Sequence, residues 1–160
     1  MQMKQYVETV SRGLTLRGFL ELPENVEKPP LLIMFHGFTG SKSEKHFLLS
    51  RLSREVVRQG TATLRFDFGG TAESDGDFQD VTPLTEIEDG LNIVRFAKQL
   101  EAVDQERISL LGFSLGGFVA ANVAGNIPLQ LEKLILISPA VATHKKMERM
   151  YLETGSCGRG

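Results

Sequence analysis

The chain has 160 residues, of which 41% are hydrophobic and 24% charged, with 16 glycines and a formal net charge of −2 from 18 basic and 20 acidic residues. This is the composition of one ordinary globular domain, able to bury roughly 68–70% of its unfolded surface, and it excludes disordered, collagen-like and disulfide-framework chains. The charges are interspersed without a basic stripe, so no nucleic-acid partner is expected.

The amino terminus, Met1-Gln2-Met3-Lys4-Gln5-Tyr6, lacks the apolar core of a secretory signal, and no window approaches the 18 apolar residues of a membrane span. The single cysteine, Cys157, allows neither an internal disulfide nor a thiolate metal cluster. A cytoplasmic location and no metal are the expectations that follow. Residues 6–10 and 14–20 alternate apolar and polar side chains around Ser11-Arg12-Gly13 and predict a hairpin with one wet face. Beyond Pro29-Pro30, Leu31-Leu32-Ile33-Met34-Phe35 is apolar at every position, as a strand covered on both faces must be. A helix is predicted from Phe47 to the Gly60 stop, and a strand over 61–66. After a glycine-rich loop, Thr82 and Pro83 read as N-cap and first position of a helix ending near Leu100. A short buried strand over 108–112, a small-residue helix from Leu115 to Asn126 and a buried strand over 134–137 complete the alternation. Strand, helix, strand in this order predicts a doubly wound α/β fold, with an antiparallel opening and a mostly parallel remainder. The polar stretch from His144 to Gly160 predicts a frayed tail.

Chemistry concentrates in three segments. Gly112-Phe113-Ser114-Leu115-Gly116 matches G-x-S-x-G between a predicted strand and a predicted helix, the context in which a serine is presented as a nucleophile. Flanking glycines permit the sharp reversal, and the helix amino terminus favours negative charge developing there. The competing dinucleotide reading fails because G-x-G-x-x-G is absent. His36-Gly37-Phe38-Thr39-Gly40 follows the first buried strand, where acyl-transfer enzymes place a second backbone donor for an oxyanion; the backbone N–H groups of Phe38 and Leu115 are the candidates. His36, beside Gly37, reads as a residue that holds this loop by hydrogen bonds rather than as a base. A phosphate-loop reading of Gly40-Ser41-Lys42-Ser43 fails on glycine spacing, which leaves Lys42 and Lys45 as solvated loop charges. In the third segment, residues 65–76, Asp67 and Asp75 read as carboxylates that satisfy turn N–H groups.

Together, these three segments, with Val81-Thr82-Pro83-Leu84-Thr85-Glu86-Ile87-Glu88-Asp89 and Ser138-Pro139-Ala140, resemble the α/β-hydrolase superfamily and, within it, bacterial feruloyl or cinnamoyl esterases. The likeness covers residues 4–142. It departs at Gly69-Gly70-Thr71-Ala72, where the family usually has Gly-His-Gly, and at Phe113, often histidine. The resemblance implies a cofactor-free carboxylic-ester hydrolase acting on a small-molecule ester through an acyl-enzyme on Ser114, with peptide or thioester hydrolysis, or a non-catalytic binding module, as the alternatives. It also implies a triad acid and histidine after two further strands that this chain does not contain. Downstream of Ser114 only His144 could serve as base, and of the acids only Glu132 precedes it, at the far end of the sheet. The expectation is therefore a partial α/β-hydrolase domain over 1–142 and a tail over 143–160, with little activity, whose last apolar strand, Leu134 to Ile137, is an edge open to self-association.

Overall fold

The structure, a computed structural model, describes residues 3–126 and 130–140. The predicted tail over 143–160, with His144 and Cys157, lies outside the described residues.

Two nine-residue strands open the chain, β1 (Met3–Ser11) and β2 (Leu14–Leu22), paired antiparallel from Met3 opposite Leu22 to Ser11 opposite Leu14. Their two-residue turn places Arg12 and Gly13 at φ 52° and 75°, the hand that suits the twist of a hairpin. Arg12 holds that backbone through a two-pronged ion pair with Asp89, Nε and Nη2 at 2.9 and 3.0 Å. The buried Asp89 carboxylate also accepts from Ser11 Oγ (2.6 Å) and from the Gly69 N–H (2.9 Å), so one side chain ties the hairpin, a helix and a later loop together.

Four short strands follow: β3 (Leu31–Phe35), β4 (Ala62–Phe66), β5 (Ile108–Phe113) and β6 (Leu134–Ile137). The sheet order is β1-β2-β4-β3-β5-β6. Strand β2 meets β4 antiparallel, and all later pairings are parallel. The predicted change from an antiparallel opening to a parallel sheet is thus observed, and it falls between β2 and β4.

Three helices cover the two faces: α1 (Leu48–Arg58) on one side, α2 (Pro83–Ala97) and α3 (Leu115–Asn126) on the other. Alternation along the strands sorts the core accordingly. Leu31, Ile33 and Phe35 join Leu64, Phe66, Leu110, Ile93, Val119 and Val123 in the larger cluster, while Leu32 and Met34 meet Leu49 and Leu111 under α1. Each such buried Leu or Ile contributes about 1.5–3 kcal/mol relative to exposure, which is why strands apolar at every position can be central. The α2 start is capped as the sequence predicts: Thr82 Oγ1 accepts the Thr85 N–H at 3.1 Å, and Thr85 Oγ1 accepts the Thr82 N–H at 2.9 Å. Its end comes earlier than Leu100. From Ala97 onward the N–H groups of Gln99 and Leu100 bond three residues back, to Phe96 and Ala97, so the last turn tightens out of the α-helix. No helix among the described residues is long and apolar enough to cross a membrane. Strand β6 is the sheet's last in order, and its Leu134, Ile135 and Leu136 are 43, 38 and 40% exposed.

One buried group opposes folding at high pH. Glu86, in the first turn of α2, is 1% exposed and its Oε2 has no hydrogen-bond partner among the described residues. Burial, aided by the nearby Asp89 charge, pushes its carboxyl up to about 8 from an ordinary 4.5. The folded chain keeps this proton through a window in which the unfolded chain has released it, so stability falls as pH rises from about 4.5 to about 8. Urea unfolding at pH 5 and pH 8.5 is expected to show a loss of up to about 4 kcal/mol across that window. Glu86→Gln should remove most of the slope, and an unchanged slope would locate the effect elsewhere.

Candidate active site

Ser114 is the one residue between β5 and α3, and its φ of 55° is a conformation that L side chains rarely adopt. Crowding of backbone forces this reversal. A Cβ on Gly112 would lie 2.1 Å from the Gly116 carbonyl oxygen, and one on Gly116 would lie 2.3 Å from the Phe35 carbonyl oxygen. Neither neighbour is a side chain that could swing away. Three hydrogen bonds hold the strained serine: its N–H donates to Ile137 O (3.0 Å), and its carbonyl accepts from the N–H groups of Gly117 (3.0 Å) and Ala140 (2.9 Å). The Leu115 N–H, at the first position of α3, has no hydrogen-bond partner among the described residues.

The same crowding seats residues 36–40 beside Ser114. A Cβ on Gly37 would be 3.2 Å from the Ser114 Cβ. His36 is fully buried; its Nδ1 lies 2.8 Å from the Gly37 carbonyl oxygen, and its Nε2 accepts the Phe68 N–H at 3.2 Å. Those partners require a neutral ring protonated on Nδ1, in keeping with burial, which lowers its pKa against the weaker pull of the Gly37 carbonyl. Both nitrogens are thereby engaged by backbone, and neither is free to take a proton from Ser114. Gly37 O also accepts the Gly40 N–H at 3.0 Å. Because a peptide unit is planar and trans, pinning this carbonyl aims the Phe38 N–H the opposite way, and that N–H has no partner among the described residues. The Phe38 ring, 56% exposed, lies 5.6 Å from the half-exposed ring of Phe78.

Lys42 corrects the expectation of a solvated loop charge. It is 5% exposed, with Nζ on Asp67 Oδ2 at 2.6 Å and on the Glu73 carboxylate. Burial alone would lower its pKa, but the hydrogen bonds it donates to Asp67 and Glu73 outweigh that and raise it. Asp67 is fully buried and also accepts the N–H groups of Lys42 (2.7 Å) and Glu73 (3.1 Å). The Lys42 carbonyl receives Arg65 Nη1 at 2.6 Å, and Arg65 pairs with the buried Glu21. Lys45 is exposed. Asp75 is a surface partner of Arg17 at 2.7 Å, which lowers its pKa, and it accepts the Thr15 N–H. Glu132 pairs with Arg107 at 3.1 Å, and its N–H meets Ile108 O, at the end of β5 away from Ser114.

Removing the Lys42 charge leaves Asp67 buried and uncompensated. Lys42→Met is therefore expected to cost about 3–5 kcal/mol in urea unfolding, and Lys42→Met/Asp67→Asn to recover part of it. A single variant within about 1 kcal/mol of the parent would show that the pair carries little of the fold.

The strand order, the switch to parallel pairing after the hairpin and a serine on a glycine-flanked turn after the fifth strand define the class: an α/β hydrolase. Solved structures of that class overlay on it. Est1E from Butyrivibrio proteoclasticus, solved with ferulic acid bound, superposes with a TM-score of 0.82 and 33% identity over 89% of this chain and 56% of its own. The chain belongs to the serine aminopeptidase S33 family, whose sequence profile matches residues 27–156. A 31.7 kDa protein of Escherichia coli from the traX-finO intergenic region is 36% identical over 115 residues, 72% of this chain. The thiohydrolase aneE of Aspergillus aculeatus is 35% identical over 113 residues, 70% of this chain. The matched stretch spans 38% of the former and 34% of the latter.

Proposed function

We propose that the site is that of a serine esterase: Ser114 attacks the carbonyl of a small-molecule carboxylic ester, the N–H groups of Phe38 and Leu115 receive the oxyanion, and water releases the acyl group from Ser114. The observation that carries this reading is a strained serine with two N–H groups that have no partner among the described residues, that of Leu115 next to it in the chain and that of Phe38 next to Gly37, which packs against it. The likeness to Est1E, solved with ferulic acid, favours an ester over a peptide. The likeness to the thiohydrolase aneE supports a second reading, thioester hydrolysis by the same serine.

A serine also needs a base. Of the three histidines, His36 has both nitrogens occupied, His46 is exposed in the segment that leads into α1, and His144 is outside the described residues. Loss of a triad base costs about 10⁶ in kcat, so we expect little turnover where no base reaches Ser114.

The test is covalent labelling with a fluorophosphonate, followed by competition between oxygen and thioesters of one acyl group. Labelling that maps to Ser114 and disappears in Ser114→Ala supports the hydrolase. A well-folded protein that stays unlabelled, alone and within its full-length gene product, would sink both the ester and the thioester reading. Turnover of a p-nitrophenyl ester by these 160 residues at rates ordinary for esterases, lost in Ser114→Ala, would overturn the expectation of low activity.

A further inference from the structure

Between β3 and α1 the backbone is strained at non-glycine residues: Thr39, Glu44, His46 and Phe47 have φ of 60°, 60°, 53° and 56°. Glu44 stands apart. Its φ of 60° with ψ of 170° lies in a region that is essentially glycine-only, yet the chain places a five-atom carboxylate side chain there. That conformation turns the side chain back into the preceding loop. Oε2 accepts the Gly37 N–H at 2.7 Å, and Oε1 accepts the Glu44 side's own neighbouring N–H, from Lys45, at 3.2 Å. The carboxylate lies on Gly40, where an added Cβ would be 2.6 and 2.7 Å from its two oxygens. It also lies 3.5 Å from the place a Gly37 Cβ would take, a point 3.2 Å from Ser114 Cβ.

We infer that Glu44 is a positioning residue for the oxyanion loop. This rests on the reading of Phe38 N–H as an oxyanion donor. Gly37 is the hinge of that donor: its carbonyl belongs to the peptide that carries the Phe38 N–H, and its N–H belongs to the peptide before it. The carbonyl is pinned by His36 and Gly40, and the N–H by Glu44. With both peptides flanking Gly37 fixed, the Phe38 N–H has one direction. Without the carboxylate the Gly37 N–H loses the bond that fixes its direction, at a residue whose missing side chain places little restriction on the backbone. A charged acceptor makes this the stronger kind of hydrogen bond, and it justifies a strained residue where glycine would sit without strain.

The experiment compares Glu44→Gly, Glu44→Ala, Glu44→Gln and Gly40→Ala in the whole chain, with three readouts: melting temperature, hydrogen exchange of the Gly37 and Phe38 amides by NMR, and the rate of Ser114 phosphonylation. Glu44→Gly should melt within about 3 °C of the parent, because the lost hydrogen bond is offset by released strain. It should also lose Gly37 amide protection and label about ten- to a hundredfold more slowly, the effect of a displaced donor. Gly40→Ala, which expels the carboxylate without touching Glu44, should do the same to amide and rate. Glu44→Gln, which keeps an acceptor oxygen, should restore most of both relative to Glu44→Ala. Parent-like labelling in Glu44→Gly, or an unmoved Gly37 amide, overturns the inference; so does a Glu44→Gly protein that melts about 8 °C or more lower, which would make the residue a structural anchor. If the parent is labelled neither alone nor within its full-length gene product, the hydrolase reading has failed; wherever the parent is not labelled, the Gly37 amide alone decides whether Glu44 sets this loop.

Discussion

The contact on which the site depends is the crossing of two backbones, where the first turn of α3 lies against the end of β3 with no side chain between them. Gly116 meets the Phe35 carbonyl and Gly112 meets Gly116 at distances that exclude even a methyl group. Close packing of this kind is unforgiving, since interiors have little free volume to absorb an added carbon. From it follow the single-residue turn at Ser114, the exit direction of β3 and the placement of Gly37 against the serine. The chain end of β6 completes the arrangement, gripping Ser114 from its far side through Ile137 and Ala140.

Beneath the loops lies a second layer of constraint, made of charge. Asp67 at the end of β4 binds both the backbone and the ammonium of Lys42, while Arg65, one strand position inward on the same face, reaches the Lys42 carbonyl. The polar end of β4 therefore braces Lys42 from within, and Glu73 closes the same group from the following loop. Asp89 does the corresponding work for Gly69 and the hairpin turn. Buried ion pairs of this type add little net stability over an apolar core, but each carboxylate with several N–H partners admits few alternative loop geometries. The pairs Lys42–Asp67 and Arg12–Asp89 lie under the loops, a location that fits a need for geometry more than for strength.

This division explains which features could be read from the chain. Apolar runs at 31–35, 108–112 and 134–137, the Thr82-Pro83 cap and the glycine-flanked Ser114 are local signals, and the elements appear where those signals lie. The two N–H groups proposed as oxyanion donors could be nominated because a motif fixes their offset from a strand or a serine. Lys42 could not, because Gly40-Ser41-Lys42-Ser43 has the composition of a solvated turn and its partner Asp67 is 25 residues away. Ser138-Pro139-Ala140 appeared only as part of a resemblance, although Ala140 bonds to Ser114 directly. For Glu44 the local signal points the wrong way: a glutamate gives no reason to expect a backbone that belongs to glycine.

The energetics of that glutamate are consistent with its being tolerated. Gly37 is buried, and an unsatisfied N–H there would cost about 1–3 kcal/mol. A non-glycine residue at the Glu44 backbone angles costs of the same order, about 1–3 kcal/mol. The two terms are opposite in sign and comparable in size, so the fold neither gains nor loses much by having glutamate at this position. What changes is the number of ways residues 36–40 can sit: with the carboxylate in place, the Gly37 amide has a partner that moves only if the strained segment after it moves too. A loop stabilised by bulk packing would show the opposite balance, large in stability and indifferent to where one N–H points. The direction of the Gly37 amide, within a loop that the backbone crossing has already seated, is in this sense set by a bond that contributes almost nothing to the free energy of folding.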